Sequence, residues 1–188
     1  YATRSLEPYR GFHVFMRAVA ELCRHRQDCQ FVIAGSDEVS YSARSHGETY
    51  RQRLLREVEI DPSRVHFVGR LPYEDYLKLL QVSSAHIYLT VPFVLSWSLL
   101  EAMSAGCVIV GSDTVPVREV LRHGQNGLLA DFFSFQEIAD MVERILDHSN
   151  REKDLGLQAR ATVAGSFDVA QSVRRYHELI DKLLSNSR

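Results

Sequence analysis

The stretch Ala85–Ser112, A-H-I-Y-L-T-V-P-F-V-L-S-W-S-L-L-E-A-M-S-A-G-C-V-I-V-G-S, decides the fold that we expect for this chain. His86–Leu89 is short and apolar and predicts a strand. Cys107–Val110 is continuously apolar, as in a strand that is buried on both faces. Between them, Ser98–Ala105 has a helical pattern, which Gly106 ends. Two strands joined by a helix make a βαβ unit, whose crossover is expected to be right-handed.

The helix of this unit starts beside the carboxyl end of the first strand, where open α/β sheets bind their ligands. Its free backbone N–H groups and the positive end of its dipole favour an anion. Glu101 lies in the first turn and has two candidate roles. Ser98-x-x-Glu101 fits a capping box, in which the carboxylate accepts the Ser98 N–H. Alternatively, the carboxylate accepts hydrogen bonds from both hydroxyls of a ribose, and the position alone does not distinguish the two roles.

Strand and helix patterns alternate along most of the chain. The six predicted strands are 1–3, 30–34, 65–68, 86–89, 107–110 and 128–130. Ser134-x-x-Glu137 and Ser149-x-x-Glu152 are capping-box patterns ahead of two helices, and Asp168 is the expected cap of a last helix at 168–188. The alternation predicts an α/β fold, a doubly wound, Rossmann-like parallel sheet of about six strands with helices on both faces.

The loops that follow the strands are expected to gather at one edge of this sheet, which makes that edge the candidate site. They are 4–11, 35–47, 69–72, 90–97 and 111–117. Arg4 and Arg10 lie in the first loop, either as two guanidinium groups that hold a diphosphate or as a pair of surface arginines. Gly35 ends a strand, where it lets a ligand approach the backbone or simply makes a turn.

Composition and motifs argue against several other classes of protein. The net charge of −2 over 188 residues gives no sign of a nucleic-acid partner. The sequence has neither a dinucleotide fingerprint nor a P-loop, and neither a metal-ligand spacing nor a G-x-S-x-G elbow. Three cysteines are expected to be reduced thiols of a cytoplasmic protein. The chain starts at Tyr1, in what reads as a strand, so we expect a domain excised from a longer protein.

Five motifs in order along the chain resemble those of the C-terminal donor domain of family 4 (group 1) retaining glycosyltransferases, one half of the two-domain GT-B fold. They are R-x5-[RK]-G at Arg4–Gly11, a strand ending in glycine at Phe31–Gly35, V-x-F-x-G at Val65–Gly69, the S-L-L-E-A-M-x-A-G segment that opens Ser98–Val110, and E-V-L-x-x-G-x-N-G-L-L at Glu119–Leu129. The resemblance implies that residues 1–188 form a domain that binds a nucleotide sugar.

The resemblance also implies site residues. Those for the nucleotide and its diphosphate are Arg4, Arg10, Gly11, Gly35, Gly69, Arg70, Leu71, Ser98, Leu99, Leu100 and Glu101. In the family, the two basic residues hold the diphosphate, the strand-end loops border the phosphates and bracket the base, and the helix start presents its N–H groups. Glu101 is the second glutamate of the E-x7-E motif and binds the ribose hydroxyls. Arg4, Arg10 and Glu101 are the implied catalytic residues.

One position departs from the family pattern. The first glutamate of E-x7-E, which contacts the donor sugar in the family, is replaced by Phe93, and the glycines that usually follow are Val94 and Ser96. We therefore expect the sugar to contact this loop through Phe93, Val94, Leu95, Ser96 and Trp97. The alternative is that Phe93 only packs beneath the loop.

The implied reaction transfers a hexose from a UDP-, GDP- or ADP-sugar to an acceptor hydroxyl, with retention and without a metal or other cofactor. The acceptor site would lie in an N-terminal domain of the same protein, toward which the 168–188 helix packs, and the isolated fragment would be inactive. The family further implies bacterial polysaccharide or glycolipid synthesis, in the cytoplasm or peripherally at the inner membrane. The alternatives are a GT-B sugar-nucleotide epimerase and a non-catalytic glycosyltransferase-like partner.

Overall fold

The computed structural model describes residues 1–38, 47–93 and 95–185. Strands and helices alternate as the sequence predicts, with helices on both faces of the strands. The elements in chain order are β1 (Ala2–Ser5), α1 (Phe12–His25), β2 (Phe31–Ser36), α2 (Tyr50–Glu57), β3 (Val65–Gly69), α3 (Tyr73–Val82), β4 (His86–Tyr88), α4 (Trp97–Ser104), β5 (Ile109–Ser112), α5 (Val115–Arg118), β6 (Leu128–Ala130), α6 (Phe135–Asp147), α7 (Ser149–Ser166) and α8 (Val169–Ser185).

The six strands are all parallel, but their hydrogen bonds divide them into two sheets. One sheet has the order β1-β2-β3 and the other the order β4-β5-β6. The prediction of six parallel strands is confirmed, and the prediction of one continuous sheet is corrected. Strands β1 and β4 line a common cavity, and the Val91 N–H donates to the Tyr9 carbonyl across this junction at 3.1 Å. The two halves together follow the 3-2-1-4-5-6 order of a Rossmann fold.

Strand β5 begins two residues later than the sequence pattern predicts, at Ile109 instead of Cys107. Cys107 remains buried, and its thiol donates to the Leu80 carbonyl at 3.1 Å. A continuous apolar run therefore predicted burial correctly and the strand boundary less well, because burial does not depend on backbone pairing.

Two clusters of buried side chains hold the domain together. The larger one lies around α1 and α6, which pack against each other, and includes Phe12, Phe15 and Ile138. The smaller one centres on α4, where Leu99 and Met103 are fully buried. Helix α7 packs against α4, and its Ala159 belongs to this cluster. The helix that carries Glu101 is therefore fixed on several sides.

The predicted helix cap at Ser149 is wrong. Ser149 is the first residue of α7, and His148 occupies the cap position. Glu152 turns inward, where its buried carboxylate accepts a hydrogen bond from Arg144 Nε at 3.0 Å. The S-x-x-E pattern thus marks a tertiary ion pair, because α6 and α7 follow each other with only one residue between them. The Asp168 cap is confirmed, since its carboxylate accepts the Gln171 N–H at 3.0 Å.

The last helix, α8, ends at Ser185 within the described residues and buries none of its side chains. Its apolar stripe, which includes Val173, Tyr176 and Ile180, is exposed. The packing of the 168–188 helix toward another domain stays a prediction. None of the helices in the described ranges is both long and apolar enough to cross a membrane.

Candidate functional site

The carboxyl ends of the strands surround three adjoining cavities. The Glu101 cavity, of about 210 Å³, lies between the ends of β1, β2 and β3 and the start of α4. The Tyr88 cavity, of about 120 Å³, lies between β1 and β4. The Phe93 cavity, of about 330 Å³, lies between the loops after β1 and β4. The first two share Arg4 and Ser98, and the last two share Arg10, so the three form one row along the edge.

The Glu101 cavity brings together predicted nucleotide residues from four separate segments. They are Arg4, Gly35, Gly69, Arg70, Leu71, Ser98 and Glu101. These residues are distant in sequence and meet because parallel strands place the loops at their carboxyl ends side by side. The expectation that the loops gather at one edge is therefore met for these residues.

The two strand-end glycines have different structural reasons. A Cβ on Gly35 would lie 2.8 Å from the Thr3 carbonyl oxygen, so this glycine allows β1 and β2 to approach each other. Gly69 has a φ of 67°, which favours glycine, and nothing lies within 4 Å of the position of its Cβ. Gly69 therefore turns the chain while it leaves open space beside the Glu101 cavity.

Arg4 and Arg10 converge on the Tyr88 cavity, together with Ser96 and Ser98. Two guanidinium groups thus border one small space between β1 and the start of α4. The hydroxyl of Tyr88 accepts the Ser96 N–H at 3.2 Å, which ties the loop after β4 to the strand itself. Burial raises the pKa of Tyr88, so its phenol stays protonated. A space bordered by two cations and hydroxyl groups suits a multiply charged anion.

Helix α4 starts one residue earlier than expected, and this changes the role of Glu101. Ser96 is the N-cap, and its hydroxyl accepts the Ser98 N–H at 3.4 Å. The predicted Ser98-x-x-Glu101 capping box does not form, because Ser98 already lies inside the helix. Glu101 lines the Glu101 cavity, and its carboxylate lies close to the hydroxyl of Tyr76 on α3.

Two backbone N–H groups at the start of α4, which the sequence predicted to be free for a ligand, already donate within the chain. The Leu99 N–H donates to the Ser96 carbonyl at 3.1 Å, and the Ser98 N–H is engaged by the Ser96 hydroxyl. The Leu99 side chain is fully buried, and Leu100 packs against the core cluster around α4. Of these three residues, Ser98 lines the cavities, whereas Leu99 and Leu100 hold the helix in place.

Gly11 lies outside the three cavity linings. It has a φ of 67°, and a Cβ there would lie 2.5 Å from the Leu89 Cβ. The glycine therefore lets the start of α1 approach the end of β4. Its presence in the R-x5-R-G motif has a packing reason, and Arg10 beside it is the residue that reaches the cavities.

Only some residues of the predicted sugar loop line the cavities. Phe93 is half exposed and lines the Phe93 cavity with Arg10, and Ser96 lines the Tyr88 cavity. Leu95 packs against the core cluster around α4, and Trp97 is 80% exposed. Val94 lies outside the described residues. Whether Phe93 contacts the sugar or packs beneath the loop stays a prediction.

Sequence reasoning missed two tyrosines of the site. Tyr88 is the last residue of β4, and a polar hydroxyl at the strand end next to the candidate edge was the available signal. Tyr76 lies in the middle of α3 and lines the Glu101 cavity. Its helical pattern alone gives no sign that it borders the site.

Over the described ranges, no group of three or more His, Cys, Asp and Glu side chains is placed to hold a metal ion.

The two parallel half-sheets and the helices on both faces define an α/β domain of the GT-B type. The family model described as "Glycosyl transferases group 1" matches residues 2–162, and the chain belongs to this family. The phosphatidyl-myo-inositol mannosyltransferase of Mycobacterium leprae is 30% identical over 174 residues, which cover 90% of this chain and 40% of that protein.

Solved structures show the same fold. The Anabaena protein HepE in complex with UDP-glucose matches with a TM-score of 0.80 and 20% identity, over 96% of this chain and 48% of that chain. The C-terminal domain of the group 1 glycosyl transferase LpcC from Francisella tularensis matches with a TM-score of 0.76 and 16% identity, over 89% of this chain and 85% of that domain. The chain spans less than half the length of the curated relatives that it matches.

Proposed function

We propose that residues 1–188 form the donor domain of a retaining glycosyltransferase, which binds a nucleotide diphosphate sugar and presents its hexose to an acceptor hydroxyl. The observation that carries the proposal is the convergence of Arg4 and Arg10 on the Tyr88 cavity, directly beside the Glu101 carboxylate. Two guanidinium groups complement the negative charge of a diphosphate, and a carboxylate that does not serve as a helix cap can accept hydrogen bonds from the ribose hydroxyls.

The order of the three cavities matches the order of groups in such a donor. The base lies against the Gly69–Leu71 loop, and the ribose hydroxyls donate to Glu101, both in the Glu101 cavity. The diphosphate lies in the Tyr88 cavity between Arg4 and Arg10. The sugar then reaches the Phe93 cavity, whose lining is Tyr9, Arg10 and the loop 90–93.

Catalysis in this proposal is electrostatic. The bond between the anomeric carbon and the diphosphate oxygen breaks, and its electron pair leaves with the diphosphate. The acceptor oxygen forms the new bond to the anomeric carbon, and the proton of the acceptor hydroxyl passes to the departing diphosphate. Arg10 borders both the Tyr88 and Phe93 cavities, at the place where this negative charge grows, and Arg4 lies on the diphosphate side. Fixed cations at a site of developing charge lower the barrier because they need no reorganisation during the reaction. The scheme requires no metal. The acceptor hydroxyl is held by another domain of the same protein, which faces the cavities.

The comparisons support a sugar-nucleotide donor. HepE was crystallised with UDP-glucose, and the mycobacterial relative is a mannosyltransferase. The match to the C-terminal domain of LpcC supports the assignment of this chain to the donor half of the protein. The base and the sugar are best identified by a thermal-shift screen against UDP, GDP, ADP and their sugars.

Replacement of Arg10 tests the proposal. Arg10→Ala should weaken the binding of the preferred nucleoside diphosphate by about ten- to one-hundredfold, because a charge-assisted hydrogen bond contributes about 1.5–3 kcal/mol. The affinity for the corresponding nucleoside should change by less than about twofold. Titration calorimetry measures both constants.

A matched control is Arg17→Ala, which removes the same charge from an exposed position on α1 outside the three cavities. It should leave both affinities unchanged. An equal loss of nucleoside and nucleoside diphosphate binding in Arg10→Ala would refute the placement of the diphosphate.

A further inference from the structure

The hydroxyl group of Tyr76 is buried and makes no hydrogen bond of good geometry among the described residues. Tyr76 lies on α3 and lines the Glu101 cavity. Buried polar groups are nearly always hydrogen-bonded, so an orphaned hydroxyl at a cavity points to a partner that arrives with a ligand or moves when one binds.

The neighbouring group is the Glu101 carboxylate. Burial is the largest cause of the raised pKa of Tyr76, and the negative charge of the Glu101 carboxylate and its position within hydrogen-bonding reach of the phenol raise that pKa further. The phenol therefore stays protonated, and toward a carboxylate it acts only as a donor. The carboxylate in turn is not used as a helix cap, since Ser96 caps α4.

The position of Tyr76 is set by the same packing that holds α4. Tyr76 and Leu77 pack against the core cluster that contains Leu99 and Met103 of α4. The phenol and the Glu101 carboxylate already lie within reach of each other, so a turn of the Glu101 side chain alone aligns them. The ring of Tyr76 thus presents a donor at a fixed place beside the Glu101 carboxylate.

We propose that Tyr76 is a positioning residue for ribose recognition. When a nucleotide enters the Glu101 cavity, the Tyr76 hydroxyl donates a hydrogen bond to one oxygen of the Glu101 carboxylate, and the other oxygen accepts the ribose hydroxyls. This inference rests on the proposed function, and it adds a second residue to the ribose contact. Its consequence is that the preference for ribonucleotides over deoxyribonucleotides depends on a phenol that does not itself touch the ribose.

The test compares Tyr76→Phe with the wild-type 188-residue chain, using the nucleoside diphosphate found in the screen and its 2′-deoxy and 3′-deoxy analogues. Tyr76→Phe should bind the ribonucleotide about tenfold more weakly, and the deoxy analogues almost as the wild type does. The substitution keeps the ring and removes only a hydroxyl that makes no well-aligned hydrogen bond in the free chain, so the melting temperature of the free chain should not fall. In the Glu101→Gln background, Tyr76→Phe should have little additional effect, because the two residues act as one unit.

Tyr73→Phe is the matched control, because Tyr73 lies one turn earlier on α3, is mostly exposed and lies outside the Glu101 cavity lining. It should leave the ribose preference unchanged. Two results would overturn this inference and leave the proposed function standing. One is an unchanged ribose preference in Tyr76→Phe, and the other is additive effects of Tyr76→Phe and Glu101→Gln. Failure of the wild-type chain to bind any nucleoside diphosphate would overturn the proposed function and this inference with it.

Discussion

Helix α7 approaches the segment directly after α4 so closely that only glycine fits at position 156 of α7. A Cβ on Gly156 of α7 would lie 2.3 Å from the Gly106 carbonyl oxygen, 3.1 Å from the Gly106 carbonyl carbon and 3.3 Å from that of Cys107. All three are backbone atoms directly after α4, so no side-chain rotation relieves the overlap. Gly156→Ala must therefore push α7 away from the segment that joins α4 to β5.

The expected magnitude follows from this geometry. Overpacking a filled core costs about 1–3 kcal/mol, and overlap with backbone atoms, which cannot rotate away, places Gly156→Ala near the upper end of that range. Alanine regains up to about 1 kcal/mol of helix propensity relative to glycine. The net loss in the free energy of unfolding should be about 2 kcal/mol, which lowers the melting temperature of a chain of this size by about 4–8 °C.

Gly165 provides the control on the same helix, because nothing lies within 4 Å of the position of its Cβ. Gly165→Ala should leave the free energy of unfolding unchanged or raise it by at most about 1 kcal/mol, so its melting temperature should not fall. Urea unfolding and thermal melts of the two variants measure the difference. If Gly156→Ala proves as stable as Gly165→Ala, the close approach of α7 to the end of α4 is wrong.

Two further predictions concern the sugar loop and the response to pH. Phe93→Glu should leave nucleoside diphosphate affinity within about twofold of the wild type, since the side chain is half exposed and lines only the Phe93 cavity, while it changes the relative affinities for nucleotide sugars with different hexoses. A large loss of nucleoside diphosphate binding in titration calorimetry would instead make Phe93 structural. His86 is buried with its Nε2 unpartnered, and burial lowers its pKa to about 3 from 6.5. Between pH 3 and 6.5 the unfolded chain binds a proton at this residue that the folded chain excludes, so stability should fall as the pH drops through that window, by at most about 1.4 kcal/mol per pH unit. His86→Gln should flatten this dependence in urea unfolding at pH 7 and pH 5, and an unchanged slope would contradict the assignment.

Periodicity was a good guide wherever burial alone decides the structure. Helix α3 spans Tyr73–Val82 as predicted, and all six predicted strands occur. Apolar spacing reports which side chains leave water, and that requirement is already present in the local sequence.

Caps were predicted less well, because a cap depends on where a helix starts. Two S-x-x-E patterns suggested capping boxes at Ser98 and Ser149, and neither forms. The start of α4 is set by Ser96, whose N–H is held by Tyr88 from the neighbouring strand. Glu152 is drawn inward by Arg144 of the preceding helix. In both cases a partner from another element outweighs a local hydrogen bond worth about 1 kcal/mol.

The sequence by itself determined the alternation of strands and helices, the set of loops at the binding edge, and the charged residues that those loops carry. Only the tertiary structure decided that the six strands form two sheets, that Arg4 and Arg10 share one cavity, and that Glu101 is not used as a helix cap. The physical reason is the distance along the chain over which each effect acts. Periodicity and turn residues act over a few positions, whereas a cavity between strands and the orphaned Tyr76 hydroxyl beside it arise from contacts between segments far apart in the chain.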